Sequence, residues 1–198
     1  MASAPLKIAA VVAAVSLVIA AGWYSAGQSA PAAPRFEPLA SIQELMVSVV
    51  DPAADGLWDA VSSETTAKGL EEKAPRTKEE WQAVRHHAIS LLESTSLLVE
   101  PGRRVAAPGR ELEDTHIAGV LNAAQAQQAI NVNPASFRAY AQALRLGAVE
   151  ALQAVDKQDA AALVAAGGNI DHACEACHLQ FWYPNARRPP APPHQPAT

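Results

Sequence analysis

The most constraining feature of this chain is the run Cys174-Glu175-Ala176-Cys177-His178, which lies near the carboxyl end of the 198-residue sequence. Its C-x-x-C-H pattern is typical of covalent c-type haem attachment, in which each thiol is added to a vinyl group of the haem. The histidine then binds the haem iron as its proximal ligand. The chain contains 2 cysteines, and both belong to this motif. We therefore predict one covalent haem c, held by Cys174, Cys177 and His178.

Three other interpretations of the two cysteines are open at this stage: a structural disulfide, a thioredoxin-like redox pair, and half of a zinc site. A redox pair is expected to follow a strand, and the sequence before Cys174 has no strand pattern. A zinc site needs a second pair of ligands at motif spacing, and none stands out. Haem attachment is therefore the interpretation that explains the motif best.

The composition favours closely packed helices. Hydrophobic residues make up 49% of the chain and many of them are alanine, whereas aromatic residues make up only 5%. Alanine is the best helix former, and β-branched strand patterns are scarce. The formal net charge of −5 argues against a nucleic-acid partner, because binding to phosphates requires a basic face.

The amino-terminal residues 1–30 have the pattern of an export signal. Lys7 precedes an apolar stretch, and small residues follow it. The apolar stretch covers residues 8–24, close to the length of about 20 residues that spans a membrane, so an uncleaved anchor is an open alternative. In both cases we expect a periplasmic protein, since covalent haem attachment in bacteria follows export.

The rest of the chain predicts one helical domain in residues 39–184, between a proline-containing linker at 31–38 and a disordered, proline-rich tail at 185–198. Apolar residues at helical spacing predict four helices. Their approximate ranges are 39–61 (interrupted at Asp51-Pro52), 77–99, 134–155 and 159–183. The second is expected to begin with a capping box of Thr77 and Glu80, and its apolar face comprises Trp81, Val84, Ala88, Leu91, Thr95 and Leu98. A short helix is expected over residues 111–129. The fold class is all-α, an up-down-up-down four-helix bundle with a single covalently attached c-type haem.

A single C-x-x-C-H motif at the end of an all-helical exported chain resembles the class II c-type cytochromes, the cytochrome c′ group. The resemblance covers residues 39–184, at the level of helix order and motif position. Phe181 lies three residues after His178, where members of this family often carry an aromatic residue. Trp182 stands where a basic residue often follows, so the chain departs from the family pattern on the proximal side. The resemblance also implies that a homodimer is an open possibility.

The resemblance implies two alternatives for the second axial position of the iron: a methionine from the first helix, or an apolar side chain that leaves the iron five-coordinate. Met46 lies on the apolar stripe of the first helix, about 10 Å along it, and His178 lies about 8 Å before the end of its own helix. The thioether of Met46 is a soft ligand that suits haem iron. We therefore predict Met46 as the distal ligand. Core packing of Met46, or ligation by His87 or His116, are the alternatives.

These predictions describe an exported electron carrier that exchanges single electrons with redox partner proteins. The alternative is a five-coordinate cytochrome c′-like protein that binds nitric oxide or carbon monoxide, with Met46 only in the core. No nucleophile elbow or phosphate loop indicates an enzyme. A peroxidase-like activity is left open, because His87 or His116 could act as a distal acid–base group.

Overall fold

The computed structural model describes residues 37–67 and 69–185, and this part of the chain is mostly helical. The predicted signal or anchor and most of the predicted linker and tail lie outside the described residues. The helices are α1 (Ile42–Leu45), α2 (Asp51–Trp58), α3 (Lys78–Leu98), α4 (Ala123–Val132), α5 (Pro134–Asp156) and α6 (Ala160–Phe181). A π-helical turn, Met46–Val50, joins α1 to α2 without a break.

The four long helical segments pack in a ring, as a four-helix bundle requires. Helix α5 packs against α3 and α6, and residues 42–58 pack against the same two helices from the other side. The short helix α4 lies against α5 and α6. The bundle is the coarse architecture that the sequence predicted.

Residues that cap the helices explain where they begin. Thr77 accepts a hydrogen bond from the backbone N–H of Glu80, whose carboxylate in turn accepts from the backbone of Thr77, so the predicted capping box is present. Ser41 and Glu44 form the same arrangement before α1, which starts at Ile42 rather than at Leu39. A cap of this kind stabilises a helix by about 1 kcal/mol.

The predicted apolar faces form the core. In α3 the buried residues are those of the predicted stripe with Ser94 added, and Leu91 and Ala88 have no exposed surface. Helices α5 and α6 approach closely at Gly147, where an added Cβ would lie 3.0 Å from the side chain of Ile170. Leu39, which the sequence placed on the first stripe, is instead exposed to 91%.

The structure departs from the all-α prediction in one place and from a predicted helix boundary in another. Residues between the first two predicted helices form an antiparallel hairpin, β1 (Ser62–Thr66) and β2 (Gly69–Lys73), in which Thr66 pairs with Gly69. Gly69 has a φ of 116°, a conformation that glycine adopts readily. The additional short helix begins at Ala123 and not near residue 111, because Asn122 caps it by accepting from the backbone N–H of Gln125.

Among the described residues, none of the helices is both long and apolar enough to cross a membrane. The apolar stretch 8–24, on which the predicted anchor depends, lies outside them.

Candidate haem-binding site

The C-x-x-C-H motif occupies the last turns of α6. Cys177 and His178 lie three and four residues after Cys174. At this spacing their side chains project from neighbouring positions on one side of the helix. All three are partly buried, and both thiols are free. The helix therefore presents two thiols and an imidazole together, as covalent haem attachment requires.

The environment of the thiols disfavours a redox pair. Burial raises the pKa of Cys174 to about 11, with smaller contributions from the nearby carboxylates of Asp51 and Asp171. Burial also raises the pKa of Cys177 to about 12, and the adjacent Cys174 adds to the effect. Reactive redox cysteines have lowered pKa values, so these two thiols have the opposite character.

The environment of His178 favours the protonation state that a metal ligand needs. Burial lowers the pKa of its imidazole, although the carboxylate of Glu175 acts in the opposite direction. A lowered pKa favours the neutral ring, and neutral imidazole is the form that binds a metal.

Two neighbouring cavities lie beside the motif, with volumes of about 130 and 230 Å³. The residues that line both cavities are Met46, Asp51, Phe137, Cys177 and His178. We call this combined space the Met46–His178 cavity. It brings together the two predicted axial ligands, which are far apart in sequence.

Met46 reaches this cavity from the π-helical turn. The backbone N–H of Asp51 donates to the carbonyl of Met46, which is the i to i+5 hydrogen bond of a π turn. One extra residue in the turn changes the direction in which the following side chains project. The sequence suggested an interruption at Asp51-Pro52, and the structure places it in the preceding five residues.

The long connection between α3 and α4 closes one end of the cavity. The backbone N–H groups of Ile42 and Gln43 donate to the carbonyls of Arg104 and Val105, at 2.8 and 3.0 Å. Val105 is buried and lines the cavity. The connection thus binds the unpaired N–H groups at the start of α1 and holds the helical segment that carries Met46. Sequence reasoning did not find this contact.

Aromatic side chains surround His178. Its ring lies perpendicular to that of Trp182, with 5.0 Å between the ring centroids, and 5.8 Å from that of Tyr183. Phe181, the last residue of α6, makes an edge contact with Phe137, with 5.5 Å between the ring centroids. The sequence singled out Phe181 and Trp182, whereas Tyr183 carried no signal of its own.

The other candidate histidines lie elsewhere. The ring of His87 packs directly on Gly56, where an added Cβ would collide with it. His116 is exposed in the long connection. Neither residue lines the Met46–His178 cavity. The structure therefore gives no support to ligation or acid–base catalysis by either histidine.

The charged residues that line the cavity are all acidic. They are Asp51, Glu113, Asp171 and Glu175, and neither cavity is lined by a lysine or an arginine among the described residues. Burial raises the pKa of Asp51, and the nearby carboxylates of Asp55 and Glu113 raise it further. Arg103, in the connection between α3 and α4, donates to the backbone carbonyls of Leu97 and Ala40 and does not line the cavity.

Helices that bring a C-x-x-C-H motif to an apolar cavity fit the class of c-type cytochromes. In the comparison with protein families, residues 105–182 match the family described as Cytochrome C′. This match supports the resemblance to the class II c-type cytochromes that the sequence predicted, over the part of the chain that carries the C-x-x-C-H motif. Proteins of this family bind one covalent haem c, and the predicted cofactor is confirmed at this level. They are electron-carrier or gas-binding haem proteins rather than typical enzymes.

Among solved structures, the chain is similar to the nitric oxide complex of a point mutant of cytochrome c prime from Alcaligenes xylosoxidans. The two are 19% identical, and the match covers 72% of this chain and 97% of the other, with a TM-score of 0.44. A comparison with curated proteins finds no match.

The residues of the site fit a haem. The cavity is mainly apolar, its thiols and imidazole have the motif spacing, and a thioether lies among the residues that line it. Trp182 lines this space, and its indole N–H is buried there. No group among the described residues accepts a hydrogen bond from it.

Proposed function

We propose that this protein is an exported monohaem c-type cytochrome that carries single electrons. Cys174 and Cys177 would hold the haem covalently, and His178 and Met46 would bind its iron from opposite faces. When bound, haem c supplies a one-electron ferric/ferrous couple. The observation that carries the proposal is that Met46 and His178 line the same cavity.

Each of the chain's own groups has a separate role in this proposal. The partly buried imidazole of His178 provides a nitrogen ligand, and the thioether of Met46 provides a soft sulfur ligand. A methionine–histidine pair raises the reduction potential relative to two imidazoles. The apolar side chains around them exclude water and reduce the rearrangement that accompanies electron transfer. Redox partner proteins would meet the open mouth of the cavity.

The second candidate is a five-coordinate, gas-binding protein in which Met46 only packs in the core. Cytochromes c′ are typically gas-binding, which favours this alternative. The family match begins at residue 105 and therefore does not include Met46. The two candidate functions thus differ on one structural point, which is whether Met46 binds the iron on the distal side.

The optical spectrum of the exported, haem-loaded protein distinguishes the two functions. Methionine ligation predicts low-spin ferric iron with the weak long-wavelength band of an iron–sulfur(Met) bond, and little response to carbon monoxide in the ferrous state. Met46→Leu should then become high-spin and bind carbon monoxide at once. Val47→Ala, at a neighbouring residue that lines the same cavity, is the matched control and should keep the low-spin spectrum.

The opposite result is equally informative. If the unaltered protein is high-spin and binds carbon monoxide immediately, and if Met46→Leu leaves its spectrum unchanged, electron transfer through Met46 is wrong. Gas binding then becomes the working function.

For partners and location, we propose a periplasmic protein. Proteins of the cytochrome c′ family are periplasmic and often dimeric. Size measurement of the haem-loaded protein tests dimerisation, and analysis of its mature amino terminus tests whether residues 1–30 are removed.

A further inference from the structure

The ring of His178 lacks the contact that usually orients a metal-bound histidine. In most metal sites the second ring nitrogen donates to a carboxylate, a backbone carbonyl or a water. Within the part of the chain that the structure describes, the His178 ring has no hydrogen bond to a protein acceptor. The neighbouring carboxylate of Glu175 accepts instead from the hydroxyl of Tyr183, at 2.6 Å.

Two aromatic rings pack against the imidazole of His178. Trp182 lies one helical turn after His178, and the two ring planes are 88° apart with centroids 5.0 Å apart. The Tyr183 ring lies at 5.8 Å and 61°. Edge-to-face pairs at these distances are favourable, each by about 0.5–1.5 kcal/mol beyond the area they bury.

The backbone and the hydroxyl of Tyr183 hold these rings in place. The backbone N–H groups of Trp182 and Tyr183 both donate to the carbonyl of His178, at 2.9 Å. The carbonyl of Trp182 accepts from the backbone N–H of Leu121 at 2.7 Å. The hydroxyl of Tyr183 donates to the carboxylate of Glu175, 8 residues earlier in the chain, and this bond anchors the ring at its far end.

Trp182 is also the described residue with a buried side-chain N–H that finds no partner. A buried and unpaired donor costs on the order of 1–3 kcal/mol. Residue 182 therefore carries an indole ring even though the indole N–H is unpaired. The contact of this ring with His178 is the favourable interaction that would offset the cost.

We propose that Trp182, supported by Tyr183, is a positioning residue that fixes the plane of the His178 imidazole through ring contacts, in place of a hydrogen bond. Held in this way, the imidazole of His178 would bind the iron in one fixed orientation. This inference rests on the proposed ligation of the haem by His178.

The test uses two substitutions at residue 182 in the exported, haem-loaded protein. Trp182→Ala removes the ring, whereas Trp182→Phe keeps an aromatic edge and removes the unpaired N–H. The orientation of the imidazole is read from the pattern of haem-methyl shifts in the proton NMR spectrum of the ferric protein, and from its electron paramagnetic resonance spectrum. Trp81→Phe, in the core of α3 and away from the cavity, controls for a general loss of stability.

We expect Trp182→Ala to reorder the haem-methyl shifts, while Trp182→Phe and Trp81→Phe keep the original order. The proposal is overturned if Trp182→Ala leaves the order unchanged, or if Trp182→Phe changes it as much as Trp182→Ala does. The spin state of each sample reports the ligation of Met46 independently. A high-spin spectrum would therefore refute the proposed electron carrier and still leave the role of Trp182 measurable.

Discussion

The two sides of the Met46–His178 cavity are built in different ways. On the proximal side, Cys174, Cys177, His178 and the aromatic residues that follow belong to the last turns of α6 and the residues directly after it. On the distal side, Met46 depends on a π-helical turn and on a connection from elsewhere in the chain that holds the start of α1. The chemistry of the proximal side is therefore encoded locally, whereas that of the distal side is a product of tertiary structure.

The largest expected effect concerns the proximal side alone. Replacing both thiols, Cys174→Ala with Cys177→Ala, should abolish covalent attachment, because no other cysteine exists in the chain. Extraction of the exported protein with acidified acetone should then remove all haem, whereas the unaltered protein keeps it. Ala176→Ser changes a motif position that carries no ligand and should retain the haem. Haem that resists extraction from the double variant would contradict the assignment.

Shortening the π turn should disturb ligation by Met46 and leave the covalent attachment through Cys174 and Cys177 intact. Deleting Ser48, which is exposed, would convert the turn towards α-helix and rotate the preceding residues by about 100° relative to α2. We expect the haem to remain covalently attached while the iron changes from low-spin to high-spin, as optical spectra would show. Ser48→Ala keeps the chain length and should behave like the unaltered protein. A low-spin spectrum after the deletion would mean that the π turn does not determine where Met46 lies.

The same division explains what the sequence could predict. The C-x-x-C-H motif, the capping box of Thr77 and Glu80, and the apolar stripe of α3 each depend on residues a few positions apart. Such patterns are readable because helical spacing brings these residues together whatever the rest of the chain does. The three long helices α3, α5 and α6 were therefore predicted with nearly correct bounds.

The missed features depend on contacts between distant segments or on weak local signals. The pairing of Ile42 and Gln43 with Arg104 and Val105 joins residues about sixty positions apart and has no signature in either segment. His87 was left as a possible ligand because its helical position is ambiguous, and only packing against Gly56 shows where its ring lies. The polar hairpin of β1 and β2 lacks the apolar alternation by which strands are recognised.

The smallest expected effect is on the midpoint potential of the haem and concerns the negative charge of Asp51 on the distal side. Asp51 lines both parts of the cavity, and its backbone N–H bonds to the carbonyl of Met46. A carboxylate beside the iron favours the ferric state, which carries one more positive charge than the ferrous state. Two unit charges about 10 Å apart at an effective dielectric constant of about 20 interact by about 1.7 kcal/mol.

Screening by solvent reduces this interaction, because Asp51 is itself largely exposed. We therefore expect Asp51→Asn to raise the midpoint potential by about 20–40 mV at neutral pH and low salt. Glu93→Gln removes one negative charge from an exposed position of α3 that does not line the cavity, and should change the potential less. The difference between the two variants should shrink as salt is added, since ions screen exposed charges. Equal potentials for the two variants at low salt would mean that Asp51 acts only through the net charge of the protein, and that the acidic lining of the distal side has no specific influence on the haem.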